Sequence, residues 1–468
     1  MKTLLIGLSA ALMFTVAPTA ASPAPEGGMT PAAIDAYLGE ALESTGLPGM
    51  SVVVTHRGRV VHAAGYGNDS HGDPVTKDTP MRVASVSKSF TAMAVMTLVE
   101  QGKIKLDRPV AGQLPGFVMA DPRAATITVR QLLNQTSGLS DTTVDIGALE
   151  SATSLADYTS RLATAELAAD PGTRWAYCNV NYNLAARLVE TASGLRFGDY
   201  LRKHVFRPLG MRTSAVSDEV VKPADGHNSI FGAWLSRPEL PAFLDESGSG
   251  GVITTAADMG RWLILQTGDG GPLVKRESLR TMHTPVKIRD YGMGWGLDRD
   301  TGLLTHSGNL FTYNAVEAIS PTTGYGFAVM ANSAALTDDT YAIMRGLTAM
   351  SEGRTPEQLG GDRQWFELVL AAITLAAACL GVMGVLRARR WAAGRAGKPW
   401  WRVALRMTPV LLPVAVLAAY PDLISFLMNG RTVTWAQLTY FAAPMSIMLV
   451  VAAVAGALTA IMRLVRLR

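Results

Sequence analysis

Three apolar segments near the C-terminus constrain this chain most: residues 366–386, about 407–428 and about 438–462. Each approaches the roughly 20 residues a helix needs to cross a bilayer core. Between the first two stand Arg387, Arg389, Arg390, Arg395, Lys398, Arg402 and Arg406, and after the third come Arg463, Arg466 and Arg468. The intervening loop near Arg431 carries one positive charge. The bias of basic residues toward the cytoplasm then predicts an inner-membrane protein whose larger N-terminal part lies outside, in the periplasm or its equivalent. Asp422 follows Pro421 inside the second segment, where it is expected as a solvated residue at the outer interface.

The opposite end agrees. Lys2, an apolar run from Leu4 to Val16 and the small residues Thr19-Ala20-Ala21 describe a secretory signal over residues 1–21, with residues 22–29 as a linker. Charge fits the same division. Residues 363–468 hold 12 Lys/Arg against Glu367 and Asp422, a net of +10, so the chain's formal +4 leaves −6 on the rest. The globular part is acidic, which argues against nucleic acid as a partner. Cys178 falls in the exported part and Cys379 in the first span, so no disulfide is expected, and stability must come from a hydrophobic core.

Residues 30–355 alternate helical and strand patterns, followed by a three-helix transmembrane unit over 364–468. Thr30-Pro31 opens an amphipathic helix, and residues 51–55 and 59–64 read as a hairpin around His56-Arg57-Gly58. Strand patterns return at 292–297, 303–306, 314–319 and 326–331, whereas the middle reads as helical at 129–133, 183–192 and 256–265. This predicts an α+β fold with one sheet built from both ends of the domain around a helical insertion.

Ser85-Val-Ser-Lys88 runs into a helical pattern, and residues three apart share a helix face. A desolvated lysine there can accept the proton of the serine hydroxyl, and the helix N-terminus favours developing negative charge. Alone, the pair is equally a common helix-surface pattern, Tyr177 a core aromatic and His306 a strand-end histidine. Two more motifs change that reading: Tyr177-Cys-Asn179, 92 residues after Ser85, and His306-Ser-Gly308 late in the domain. No His-Glu-x-x-His pattern appears and the seven histidines are dispersed, so neither a metal nor another cofactor is expected.

In this order the motifs resemble the serine β-lactamase and penicillin-binding-protein superfamily, specifically its class C-like branch. Supporting matches are Gly102-Lys-Ile-Lys-Leu-Asp107, His204-Val-Phe-Arg-Pro-Leu-Gly-Met211 and Gly250-Gly-Val-Ile-Thr-Thr-Ala-Ala-Asp258. The resemblance implies a β-lactamase/transpeptidase-like fold, an antiparallel sheet flanked by helices plus a helical subdomain. It implies Ser85 as nucleophile, Lys88 as its proton acceptor and Tyr177 as a second general base that relays a proton to the leaving group. Asn179 would bind a substrate amide. His306 would orient substrate or tune Tyr177, and the backbone N–H groups of Ser85 and Asn309, just after Gly308, would form the oxyanion hole. Two residues depart from the family pattern: Cys178 replaces the commoner Ser, and Gln135 stands where many relatives carry His.

The implied reaction is acylation of Ser85 by a small-molecule or peptide substrate, then hydrolysis. His306 in place of the lactamases' lysine favours a peptidase for D-amino-acid-containing peptides. The three spans resemble those of prodrug-activating peptidases of nonribosomal-peptide pathways, the colibactin-maturing peptidase among them. An esterase or β-lactamase, and a non-catalytic penicillin-binding-like sensor, stand as alternatives. Oligomeric state is not legible from the sequence.

Overall fold

A computed structural model describes residues 29–268, 273–428 and 431–467; the expected signal segment and most of the expected linker lie outside these residues. The central sheet is six-stranded and antiparallel. Its strands are β1 (Gly49–His56), β2 (Arg59–Gly67), β3 (Gly296–Leu297), β4 (Leu304–Asn309), β5 (Asn314–Ile319) and β6 (Tyr325–Ala331), in the order β2-β1-β6-β5-β4-β3. The junction β1–β6, with Met50 opposite Ala331 and His56 opposite Tyr325, joins the two ends of the domain as expected.

Alternation along each strand sends side chains to two separate cores. Met50, Val52 and Val54 pack with Val316, Ala318, Phe327 and Val329 beneath helices α1 (Pro31–Thr45) and α5 (Asp339–Ser351). Val53, Ala315, Ile319, Ala328 and Met330 face the larger core on the other side, which takes in the whole helical insertion. There lies α2 (Ser87–Glu100), buried from Ser87 through Leu98. A helix apolar on every side belongs at the centre of a domain; Phe90 stacks on Trp262 of α4 (Ala256–Gln266) at 4.0 Å between ring centroids. The remaining helix of this layer, α3 (Val180–Ser193), packs on α2 directly after the Tyr177 segment. This is the β-lactamase/transpeptidase fold.

One prediction differs: 292–297 is not a continuous strand, because only Gly296 and Leu297 pair with β4. Gly294 has φ +79°, and a Cβ there would lie 2.7 Å from the Ser89 backbone nitrogen. The segment is therefore a turn pressed against the first turn of α2, which alternation alone does not reveal.

Glu317 on β5 is fully buried toward the larger core, accepting a hydrogen bond from Trp262 Nε1 at 2.9 Å. Burial raises its pKa from about 4.5 to about 8. A raised native pKa means stability is complete below the unfolded value and is lost as pH rises through the native one, a window of about pH 4.5 to 8. Glu317→Gln removes the titration. Its unfolding free energy relative to the parent should rise between pH 5 and pH 9 by about 4 kcal/mol. An identical offset at both pH values would contradict this.

Three helices are long and apolar enough to cross a membrane among the described residues: α6 (Asp362–Leu386), α7 (Trp400–Ala418) and α9 (Ala443–Leu467), with α8 (Trp435–Phe441) before the last. The second predicted span is interrupted at Ala419 and resumes as residues Tyr420–Leu427, with Pro421 in the first turn of the new helix. Asp422 is exposed there. The third is likewise divided at Ala442.

The first turns of α6 are locked to the hydrolase domain. Arg363 donates to Ser229 Oγ at 2.6 Å and to Thr45 O at 3.1 Å, and Glu367 accepts from Ser229 Oγ at 2.8 Å and Gly232 N at 2.6 Å. Both side chains are 4 % exposed. Charges at the head of an apolar helix thereby find partners in protein, Arg363 Nε excepted.

Candidate active site

Ser85 sits in a single 3₁₀ turn, Ala84–Val86, immediately before α2. Ala84 has φ +48°, a left-handed conformation costly for a residue with a Cβ, and it is buried where its neighbours hold it. That turn brings the Ser85 hydroxyl out of the core, while Lys88, one turn along, stays fully buried behind it.

Lys88 Nζ lies 2.9 Å from Ser85 Oγ, 2.9 Å from Asn179 Oδ1 and 2.7 Å from the Ser249 carbonyl. Asn183 Oδ1 accepts from the Ser249 N–H at 3.1 Å and so holds that residue in place. Burial drives the Lys88 pKa well below 10.5, and the positive charge of Arg431 acts in the same direction. A neutral amine has two hydrogens and one lone pair. Asn179 and Ser249 are acceptors for the hydrogens, which leaves the lone pair for the Ser85 proton.

Tyr177 donates its hydroxyl to Ser85 Oγ at 2.8 Å. Burial pushes its pKa up to about 12, although the Ser85 hydrogen bond works against the rise. At neutral pH it therefore holds its proton, and the geometry suits a donor to a leaving group better than a base that starts as phenolate.

His306 is brought to the same wall, with ring centroids 6.4 Å from Tyr177. Burial, with Lys88 beside it, lowers its pKa to about 3. Nδ1 faces the Ser307 carbonyl at 2.7 Å and so carries the hydrogen; Nε2 then accepts from Tyr291 O–H at 3.1 Å. Both ring nitrogens are occupied within the protein, so neither contacts Tyr177, and the ring is held as a neutral spacer.

Gly308 is where β4 meets the nucleophile turn. A Cβ at this position would stand 2.2 Å from Val83 O and 2.9 Å from Ser85 N, both rigid backbone. Leu310 N–H bonds to Tyr313 O, and amides alternate sides along a strand, so Asn309 N–H points to the free edge of β4. β3 ends its pairing opposite Leu304 and Thr305, leaving that edge open. Asn309 also lines the cavity that contains Ser85.

Several contributors carry no motif of their own. Gln135, at φ +63°, accepts from Cys178 N at 3.1 Å and Asn181 Nδ2 at 2.5 Å, and its carbonyl accepts from Ala176 N at 3.0 Å. It clamps the segment bearing Tyr177 on both sides. Cys178 is a buried free thiol. Ser249 and Tyr291 lie in glycine-rich stretches, the only signal that could have drawn attention to them.

A serine hydroxyl bonded by a desolvated lysine and a protonated tyrosine, on this sheet, defines a β-lactamase-fold serine hydrolase. Residues 34–349 match the family model described as Beta-lactamase, and the chain belongs to that family. It is 26% identical over 316 residues to Protein flp of Staphylococcus aureus strain MW2, covering 64% of this chain and 62% of that protein's length. Penicillin-binding protein 4 of Amycolatopsis lactamdurans is 30% identical over 322 residues, covering 63% of this chain and 83% of its own. Among solved structures, the D-stereospecific amidohydrolase from Streptomyces sp. is 25% identical with a TM-score of 0.52, covering 64% of this chain and 94% of its own. The class C β-lactamase from Rhodobacter sphaeroides shares the fold at 23% identity and a TM-score of 0.54, covering 67% and 97%. The likeness to prodrug-activating peptidases rests on the three spans.

Proposed function

We propose that this chain is an exported, membrane-anchored amidase that cleaves peptide-like bonds next to a D-amino acid through an acyl-Ser85 intermediate. The observation that carries the reading is the convergence of Lys88 Nζ and Tyr177 O–H on Ser85 Oγ, at 2.9 and 2.8 Å. Lys88 takes the proton as Oγ bonds to the substrate carbonyl carbon. The backbone N–H groups of Ser85 and Asn309 hold the oxyanion. Tyr177 gives its proton to the departing amine and is reprotonated from Lys88. Water then adds to the acyl-enzyme, passes a proton to the same pair, and releases the acid with Ser85 restored. Asn179 Oδ1 is committed to Lys88, which leaves its amide hydrogens for a substrate carbonyl.

The D-preference is supported by the similarity to a D-stereospecific amidohydrolase, and the presence of His306 in place of lysine argues for amides over β-lactams. Maturation of an acylated prodrug is one form of this activity. Anchoring is supported by the apolar helices, and the arginine-rich stretch from Arg387 to Arg406 supports export of the hydrolase domain.

The test uses full-length protein in detergent micelles. A fluorophosphonate should label the parent and fail on Ser85→Ala, and p-nitroanilides of N-acyl-D-amino acids should be hydrolysed in preference to their L-enantiomers. Rapid turnover of p-nitrophenyl butyrate without any anilide cleavage would favour the esterase reading.

A further inference from the structure

The cavity that opens on Ser85 is not made by the hydrolase domain alone. It is lined by Ser85, Asn179 and Asn309, and also by Arg431 and Thr432 of the loop after the second apolar segment and Gln437 of α8. The loop is tied down. Thr432 Oγ1 donates to the Asp141 carbonyl at 3.2 Å, and Arg237 donates to the Thr439 carbonyl at 2.8 Å. The Arg237 guanidinium also stacks 3.5 Å from the centre of the Tyr440 ring, which in turn meets Phe311 edge-on. A loop fixed by bonds from two sides of the cleft presents its side chains to whatever occupies it.

Two of those side chains offer donors. Gln437 Oε1 accepts from the Thr434 N–H at 3.0 Å, which leaves the amide nitrogen for the cavity. Arg431 is the stronger. Its closest acidic neighbour is Asp141, with Nε 3.6 Å from Oδ2, and the guanidinium makes no hydrogen bond among the described residues. Its side chain is 48% exposed. A guanidinium has five N–H donors in a planar fork that matches a carboxylate. A single long contact to Asp141 leaves most of that fork open. Asp141 also lines the cavity, with its Oδ2 turned to Arg431 and its Oδ1 buried without a hydrogen-bond partner. Glu150 also lines this wall; burial raises its pKa and the charge of Arg431 pulls it back down.

We infer that the loop between the second and third apolar segments is a wall of the substrate site, and that Arg431 selects substrates carrying an anionic group, such as a carboxylate, on the portion held beyond the scissile bond. The inference rests on the serine-hydrolase reading of Ser85. It adds to that reading a substrate class and a reason for the hydrolase and the apolar helices to be one polypeptide.

The experiment compares two fluorophosphonate probes on the full-length protein, one ending in a carboxylate and the other in the primary carboxamide of the same shape. The parent should react faster with the carboxylate probe. Arg431→Gln should lower the ratio of the carboxylate to the carboxamide rate about tenfold or more, the scale of a lost hydrogen-bonded charge contact, while the loss of its charge beside Lys88 acts alike on both probes. Arg431→Lys should recover part of the loss. An equal fall with both probes would mean that the loop only shapes the cleft, and no change with either would mean that Arg431 is idle; each overturns the inference and leaves the serine-hydrolase reading intact. Failure of both probes on the parent would overturn both.

Discussion

Lys88→Met should lower the rate of Ser85 phosphonylation at least ~10³-fold, equivalent to about 4 kcal/mol of barrier. The thioether fills most of the space the amine leaves, so the fold and α2 should survive, and the loss reports the missing proton acceptor. Lys88→Arg should be as inactive, since a guanidinium does not deprotonate in this range. The pH dependence has a fixed sign. Burial favours the neutral amine, so the rate should climb with pH through a value well below that of an ordinary lysine and then level off. It should not fall again until the Tyr177 phenol ionises, near 12. Stopped-flow labelling of parent and variants across pH checks both limbs. A Lys88→Met protein that keeps a tenth of the parental rate would remove the lysine from the mechanism.

The second large effect is expected at a residue with no functional group. Gly308→Ala places a methyl 2.2 Å from Val83 O and 2.9 Å from Ser85 N. Neither atom can rotate away, so β4 must retreat from the nucleophile turn and carry Asn309 N–H with it. Loss of one aligned oxyanion donor costs on the order of 10²–10³ in turnover. The change should fall on kcat with KM nearly constant, and the circular dichroism spectrum should be retained. Ser307→Ala, one residue away on the exposed face of the strand, should be silent. Equal effects at the two positions would show that the strand is merely fragile.

The parts of this molecule that were legible in the sequence are those in which chemistry and local structure share a short stretch of chain. Ser85 and Lys88 are one helical turn apart, Tyr177 and Asn179 flank one buried residue, and β5 at Asn314–Ile319 alternates cleanly between two cores. What was not legible depends on partners distant in sequence. Gln135 is a polar residue in a loop until the Tyr177 segment folds onto it. His306 loses its freedom to Tyr291, fifteen residues away, whose hydroxyl nothing in the sequence aims at it. The break at Ala419 is invisible to average hydropathy, since apolar residues continue across it; only Pro421, a residue suited to a helix start, marks the place. Arg431 looked like a stray basic residue between two spans because its surroundings belong to another part of the fold.

The clasp formed by Arg363 and Glu367 on Ser229, Gly232 and Thr45 has a mechanical meaning. A hydrolase on a slack tether would sweep a hemisphere and sample everything within its radius. One clasped by buried charges at the head of α6 keeps a single standoff from the apolar bundle, with its opening at one latitude and one bearing. With the apolar helices in a bilayer, as proposed, distance would filter before recognition begins, and cargo travelling along the surface would arrive where polymers further out would not.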